Sequence, residues 1–155
     1  MTVGAHDNVI LVYDVASKFK TFKRLKGHHS TVPHIDYTEN SGAIQSDSTS
    51  YEILYYDIAS GKQMTSGATA FKDEKWATWT CTLGWPVQGI WPPCSGGSDI
   101  NSLDRSVDRT VIATGDDFGK VKLFKYPCPI ESIYYHQILF RIQFPGISRS
   151  FFACD

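Results

Sequence analysis

The sequence predicts an all-β chain: part of a WD-type β-propeller, about two and a half four-stranded antiparallel blades followed by an apolar C-terminal tail. Three features predict it. Two segments, HDNVILVYDV and SYEILYYDI, end alike in Tyr13–Asp14–Val15 and Tyr56–Asp57–Ile58. The 43 positions from Asp14 to Asp57 fall inside the ~40–45-residue period of a propeller blade. Between them, short runs rich in β-branched and aromatic residues alternate with Gly, Asn and Ser turns, the pattern of an antiparallel sheet.

Residues 1–20 are expected to end a first blade, with TVGAHD resembling the end of a third strand. Residues 21–62 read as a complete blade. TFKRLKG (21–27) is a short charged strand, and Gly27–His28 stands where such repeats carry Gly-His. TVPHIDY (31–37), AIQSDS (43–48) and EILYYDI (52–58) are strands, separated or followed by the turns ENSG (39–42) and ASGK (59–62). VILVY and ILYY are continuous apolar runs, so they are expected to be the innermost strands, buried on both faces.

Residues 63–128 read as an elaborated blade. GKVKLFKY places Phe124–Lys125 where the aromatic–Asp pair stands earlier, 68 positions after Asp57, which demands insertions. ATWTCTLG (77–84) is expected to be a strand, with Gly84–Trp85 in place of Gly-His. PVQGIWPPCSGGS (86–98) is a Pro/Gly/Ser-rich insertion, and DINSLDRS (99–106), RTVIATG (109–115) and GKVKLFKY (119–126) complete the sheet. All four tryptophans lie between positions 76 and 91. They are expected to cover the apolar flank where the insertion folds back. Residues 129–155 form a divergent tail, apolar and aromatic, without Gly-His or an aromatic–Asp ending.

Composition narrows the function classes. The 155 residues suit one domain, and 42% hydrophobic with 20% charged residues supports a buried core. Fifteen Lys+Arg against sixteen Asp+Glu give a net charge of -1, which argues against a dedicated nucleic-acid binder. No apolar run approaches the ~20 residues of a membrane span. The N-terminus has no basic stretch before its apolar run, and no N-x-S/T sequon occurs. The four cysteines, at 81, 94, 128 and 154, show no CxxC pair. Free thiols in the cytoplasm are therefore expected, with neither a metal nor a cofactor.

Three catalytic or ligand patterns fail on inspection. His28, Ser48 and Asp47 have the residue types of a hydrolase set, but no G-x-S-x-G elbow accompanies them. His28, His29, His34 and Asp36 include metal-ligand types, yet no second cluster supports them. ATGDDFGK (113–120) lacks the spacing of a phosphate loop and suits a tight hairpin turn instead. No catalytic residue is assigned, and the chain is expected not to be an enzyme.

WATWTCTLGWPVQGIWP (76–92), DINSL (99–103) and ATGDDFGKVKLFKYPC (113–128), together with the two repeat endings, resemble the echinoderm microtubule-associated protein-like family. The resemblance covers roughly 1–128, so the tail is expected to be an ending foreign to the family. It implies a piece of a tandem propeller that associates with tubulin or microtubules in the cytoplasm and cytoskeleton, without catalysis. WD blades tie a histidine, a Ser/Thr, a turn acid and an aromatic residue into one network. The matching positions are His28, Ser48, Ser50 and Tyr56, beside Asp57, with Asp7 as the turn acid of the preceding unit. Ser50 lacks the charge that would strengthen the bond, so the network is expected to be eroded.

Lys18, Lys20, Lys23, Arg24 and Lys26 put five cations in nine residues with no acid among them. They are the candidate contact with the acidic microtubule surface. Lysines on an outer edge strand also prevent sheet-to-sheet pairing, and that bland reading weighs against them. The alternative function is a generic scaffold or adaptor without tubulin contact. A partial propeller exposes the faces of its end sheets, so self-association through open blade faces is also expected.

Overall fold

The computed structural model describes residues 1–91 and 99–130, together with the backbone of 136–138. Strands dominate it, gathered into three antiparallel sheets. The first holds β1 (Thr2–Gly4), β2 (Ile10–Asp14) and β3 (Lys20–Leu25), in that order. The second holds β4 (His34–Tyr37), β5 (Ala43–Asp47) and β6 (Ile53–Asp57). In the third, β7 (Ile100–Arg105), β8 (Val111–Asp116), β9 (Val121–Lys125) and β10 (His136–Ile138) pair in sequence. This is a partial propeller of consecutive antiparallel blades.

The repeat and the sheets are one strand out of phase. The charged strand expected to open the blade at 21–62 belongs to the preceding sheet, where β3 pairs with β2 from Ile10↔Leu25 to Asp14↔Lys20. The short connection between β2 and β3 makes that hairpin the nearest pairing for the strand. The second sheet is therefore three-stranded, extended by a single bridge between Tyr56 and Gln63. The expected innermost strands also move. β2 is central in its sheet but β6 is an edge, and the strand buried at every position is β5.

Local turn chemistry sets the hairpins. Asn40 accepts the Gly42 amide at 2.8 Å, in the turn before β5. Asp14 and Asp57 end β2 and β6 in matching fashion, each accepting the hydroxyl of the serine three positions later, Ser17 and Ser60. Gly119, at φ +70°, closes the β8–β9 turn, and Asp116 accepts the amides of Phe118 and Lys120.

Two apolar clusters hold the sheets together. In the second sheet the register puts Ile35, Tyr37, Ile44, Leu54 and Tyr56 on one face. They pack with Ile10, Val12 and Leu25 of the first sheet and with Val32. The opposite face carries His34, Asp36, Gln45, Asp47, Ile53 and Tyr55. There Tyr55 joins a cluster of Trp76, Trp79, Val87, Ile90 and Cys128 with Leu103, Ile112 and Phe124 of the third sheet.

Between these sheets runs the segment expected to be a strand at 77–84. It is irregular, with bends at 77, 82 and 84, and belongs to no sheet beyond a bridge of Trp76 to Thr38. Its donors turn to carboxylates of the second sheet instead of a ladder. A one-turn helix α1 (Gly67–Ala70) precedes this strap and a 3-10 helix at Trp85–Ile90 follows it. Trp76 and Trp79 are buried, as expected of a covered flank, whereas Trp85 is 58% exposed.

Candidate functional site

The five cations of the basic run lie on and beside β3, an edge strand of the first sheet. Alternation divides them. Arg24 pairs opposite Leu11 and Lys23 opposite Val12, so these neighbours point to opposite faces. Lys23 is half-buried: its stem lies against Gly61, its Nζ donates to the Ser60 carbonyl at 3.4 Å, and it sits 5.3 Å from the Phe22 ring centroid. Lys18, Lys20, Arg24 and Lys26 are exposed. Arg24 reaches Asp7 at a loose 4.0 Å. Phe19 and Phe22, at 55% and 53% exposure, interleave the cations. The sequence shows these two aromatics plainly, and only the structure reveals that they face water.

The residues expected to form the blade network bond to partners other than those expected. His28 is buried, and its Nε2 lies 2.8 Å from Ser46 Oγ, not Ser48. Ser48 donates to Glu52 at 3.1 Å, and the Ser50 amide donates to Ser48 Oγ. Glu52 lies two residues beyond Ser50. It accepts the His29 amide at 3.0 Å and lies 3.5 Å from His28 Nδ1. Hydrogen bonds from the His29 amide, the His29 ring and Ser48 hold its carboxyl down at about 2. Burial lowers the His28 pKa, so the ring stays neutral. Tyr56 donates its hydroxyl to the Lys26 carbonyl at 3.3 Å, and burial followed by the Glu52 charge pushes it up to about 12. Asp7 is exposed and accepts the Val9 amide, within its own turn.

His28, Ser48 and Asp47 do not converge. Asp47 is occupied by His34 and Thr82, Ser48 by Glu52, and His28 by Ser46. Among the described residues no group of three or more His, Cys, Asp or Glu side chains is arranged to hold a metal.

Two buried acids of the second sheet, Asp36 and Asp47, hold the strap. Asp36 accepts from Thr78 Oγ1 at 2.6 Å, from the Thr80 amide and hydroxyl, from the Cys81 amide at 3.0 Å and from Gln45 at 3.2 Å. Burial alone would raise its pKa, but these bonds outweigh burial and lower it. Asp47 accepts the Thr82 amide at 2.7 Å and its hydroxyl at 3.1 Å. An acid between apolar residues, as Asp36 lies between Ile35 and Tyr37 in HIDY, is the sequence signal for such a buried anchor.

A family model described as the echinoderm microtubule-associated protein second beta-propeller matches residues 1–140. The match passes the limit of 128 read from the residues and takes in β10. Among curated relatives, human echinoderm microtubule-associated protein-like 3 is 47% identical over 131 residues, covering 83% of this chain and 15% of that protein. Echinoderm microtubule-associated protein-like 4 of Xenopus tropicalis is 47% identical over 83% of this chain and 14% of its own length. Mouse echinoderm microtubule-associated protein-like 1 is 45% identical over 83% of this chain and 16% of its own length. The chain spans about 15% of the length of such relatives.

Proposed function

The chain belongs to the echinoderm microtubule-associated protein-like family, and from that membership we propose that it is a non-enzymatic propeller segment that contacts tubulin or microtubules. The observation that carries this reading is the family match over most of the chain, to relatives whose names declare microtubule association. The exposed cations Lys18, Lys20, Arg24 and Lys26 support it. Cations on an edge strand suit an acidic polymer surface, through attraction that weakens as salt screens it. The cytoplasm and cytoskeleton follow as its place of action. The outer faces of the first and third sheets, which neighbouring blades would cover in a closed propeller, are the expected route of self-association.

A second reading, an adaptor that binds other proteins without touching tubulin, is favoured by one feature. Phe19 and Phe22 stand exposed among the cations, and exposed aromatics suit a protein partner of ordinary composition.

Pelleting with polymerised tubulin and gel filtration with free tubulin separate the two readings. Microtubule contact predicts co-sedimentation that fades with added salt. An adaptor predicts that the protein stays in the supernatant even at low salt.

A further inference from the structure

One imidazole spans the gap between the second and third sheets with an acceptor at each end. His34 opens β4, and its side chain is 15% exposed. Its Nδ1 lies 2.9 Å from Asp47 Oδ1 on β5, and its Nε2 lies 3.1 Å from the main-chain carbonyl of Asn101 on β7. The β7–β8 register shifts between Ile100 and Ser102, passing over Asn101. A bulge of this kind leaves the extra residue out of the ladder, and here its carbonyl meets the histidine.

A carboxylate and a carbonyl both accept. A neutral imidazole carries a single N–H, whereas the imidazolium carries two. Asp47 meets the ring through one carboxylate oxygen, while its other oxygen accepts the amide and hydroxyl of Thr82. A neutral ring in this place would turn a lone pair either on the carboxylate or on the Asn101 carbonyl.

We propose that His34 is a protonation-dependent tie between the second and third sheets: as the imidazolium it links the Asp47 carboxylate to the main chain of Asn101, and on losing its proton it releases one end. The charged groups around the ring agree with this. Asp36 is on its own strand, Asp47 comes from β5, and β7 presents the Asn101 carbonyl. The strap contributes Thr82, bonded to Asp47. Burial disfavours the charged ring, but the hydrogen bond and charge of Asp47, with the Asn101 carbonyl and Asp36, outweigh it and raise the pKa. The tie is thus complete below the ordinary histidine value and opens as pH rises through the higher folded value.

The test uses the full chain with 15N-labelled histidine, followed from pH 5 to pH 9. The expected spectrum shows both His34 nitrogens protonated at the pH where free imidazole is half-titrated. Amide exchange at Asn101, Ser102 and Leu103 should accelerate with the same midpoint as the ring. His34→Gln, which offers one donor and one acceptor, should abolish that midpoint. A ring with one protonated and one bare nitrogen at pH 6.5 overturns the tie. So does amide protection in His34→Gln with the same pH profile as the native chain. Should that variant fail to fold, the native 15N titration decides alone.

Discussion

Both carboxylate oxygens of Asp36 lie 2.9 Å from the backbone nitrogen of Thr80, 44 positions later in the chain. That contact, with those of Thr78 and Cys81, fixes the strap on the second sheet. Trp76 and Trp79 are thereby seated in the apolar cluster that reaches the third sheet. The second and third sheets are therefore joined through an irregular segment held by polar anchors. The first and second join by direct apolar contact.

Replacing Asp36 tests the anchor. Asp36→Ala strands several buried donors, each costing about 1–3 kcal/mol when left without an acceptor. Because such costs are not additive, the expected loss is about 3–5 kcal/mol, comparable to breaking a buried ion pair. Asp36→Asn keeps the size but turns an NH2 toward other donors, so it should lose nearly as much. Urea unfolding midpoints check this. A loss below about 0.5 kcal/mol for Asp36→Asn, within ordinary surface-mutation scatter, would contradict the anchoring role.

Acid should release the same contacts. The Asp36 carboxyl is held below its ordinary value of 3.8, and Glu52 is held down at about 2 against 4.5. In the unfolded chain both protonate at their ordinary values, so the stability they contribute is whole above about pH 4.5 and declines as pH falls toward 2. Thermal melts from pH 5 to pH 2 should show the midpoint dropping steadily. In Glu52→Gln the drop should be shallower.

How much of this was legible in the sequence depends on how local each feature is. The turns at Asn40–Gly42 and Asp116–Gly119 are set by residues within four positions and read directly from the chain, and the strand ends at Asp14 and Asp57, which the repeat marks, are held as locally by Ser17 and Ser60. The repeat does not reveal the sheet of β3, because the repeat boundary falls before the strand while the hairpin joins it to β2. The strap reads as a strand by composition, but its partner acceptors are 35 to 45 positions away. No short-range pattern pairs those acceptors with the strap. Glu52, which bonds His29 and Ser48, lies two positions beyond the serine at 50 that repeat counting picks out.

Glycine 67 separates crowding from backbone strain. A Cβ there would lie 2.4 Å from the Tyr55 ring, whereas one at Gly119 meets nothing within 4 Å but must adopt φ +70°. Gly67→Ala should cost about 1–3 kcal/mol through overpacking and should disturb Tyr55, seen as altered aromatic ellipticity. Gly119→Ala should cost about 1 kcal/mol from the left-handed conformation alone, with the aromatic signal unchanged.

The basic edge should not respond uniformly to charge reversal. Lys20 is exposed and Arg24 has only a loose partner, so Lys20→Glu with Arg24→Glu should weaken co-sedimentation several-fold at low salt while leaving the melting point within about 2 °C. Lys23 packs on Gly61 and bonds Ser60. Lys23→Glu should therefore lower the melting point as well. Unchanged pelleting in the Lys20/Arg24 double variant would remove the patch from the contact.

His28 and His34 should oppose each other across neutral pH. Burial lowers the His28 pKa, so as pH falls below 6.5 the unfolded chain takes up a proton that the native chain resists, and stability declines. His34 has a raised pKa, so the native chain holds its proton more tightly and stability is gained over the same descent. The native protein should therefore show a shallow stability profile between pH 5.5 and pH 8. His28→Gln should tilt it toward greater stability in acid, and His34→Gln toward greater stability in base. Urea midpoints at four pH values across that window measure both slopes. Two variants tilting the same way would mean that the rings are not held in the protonation states their partners require.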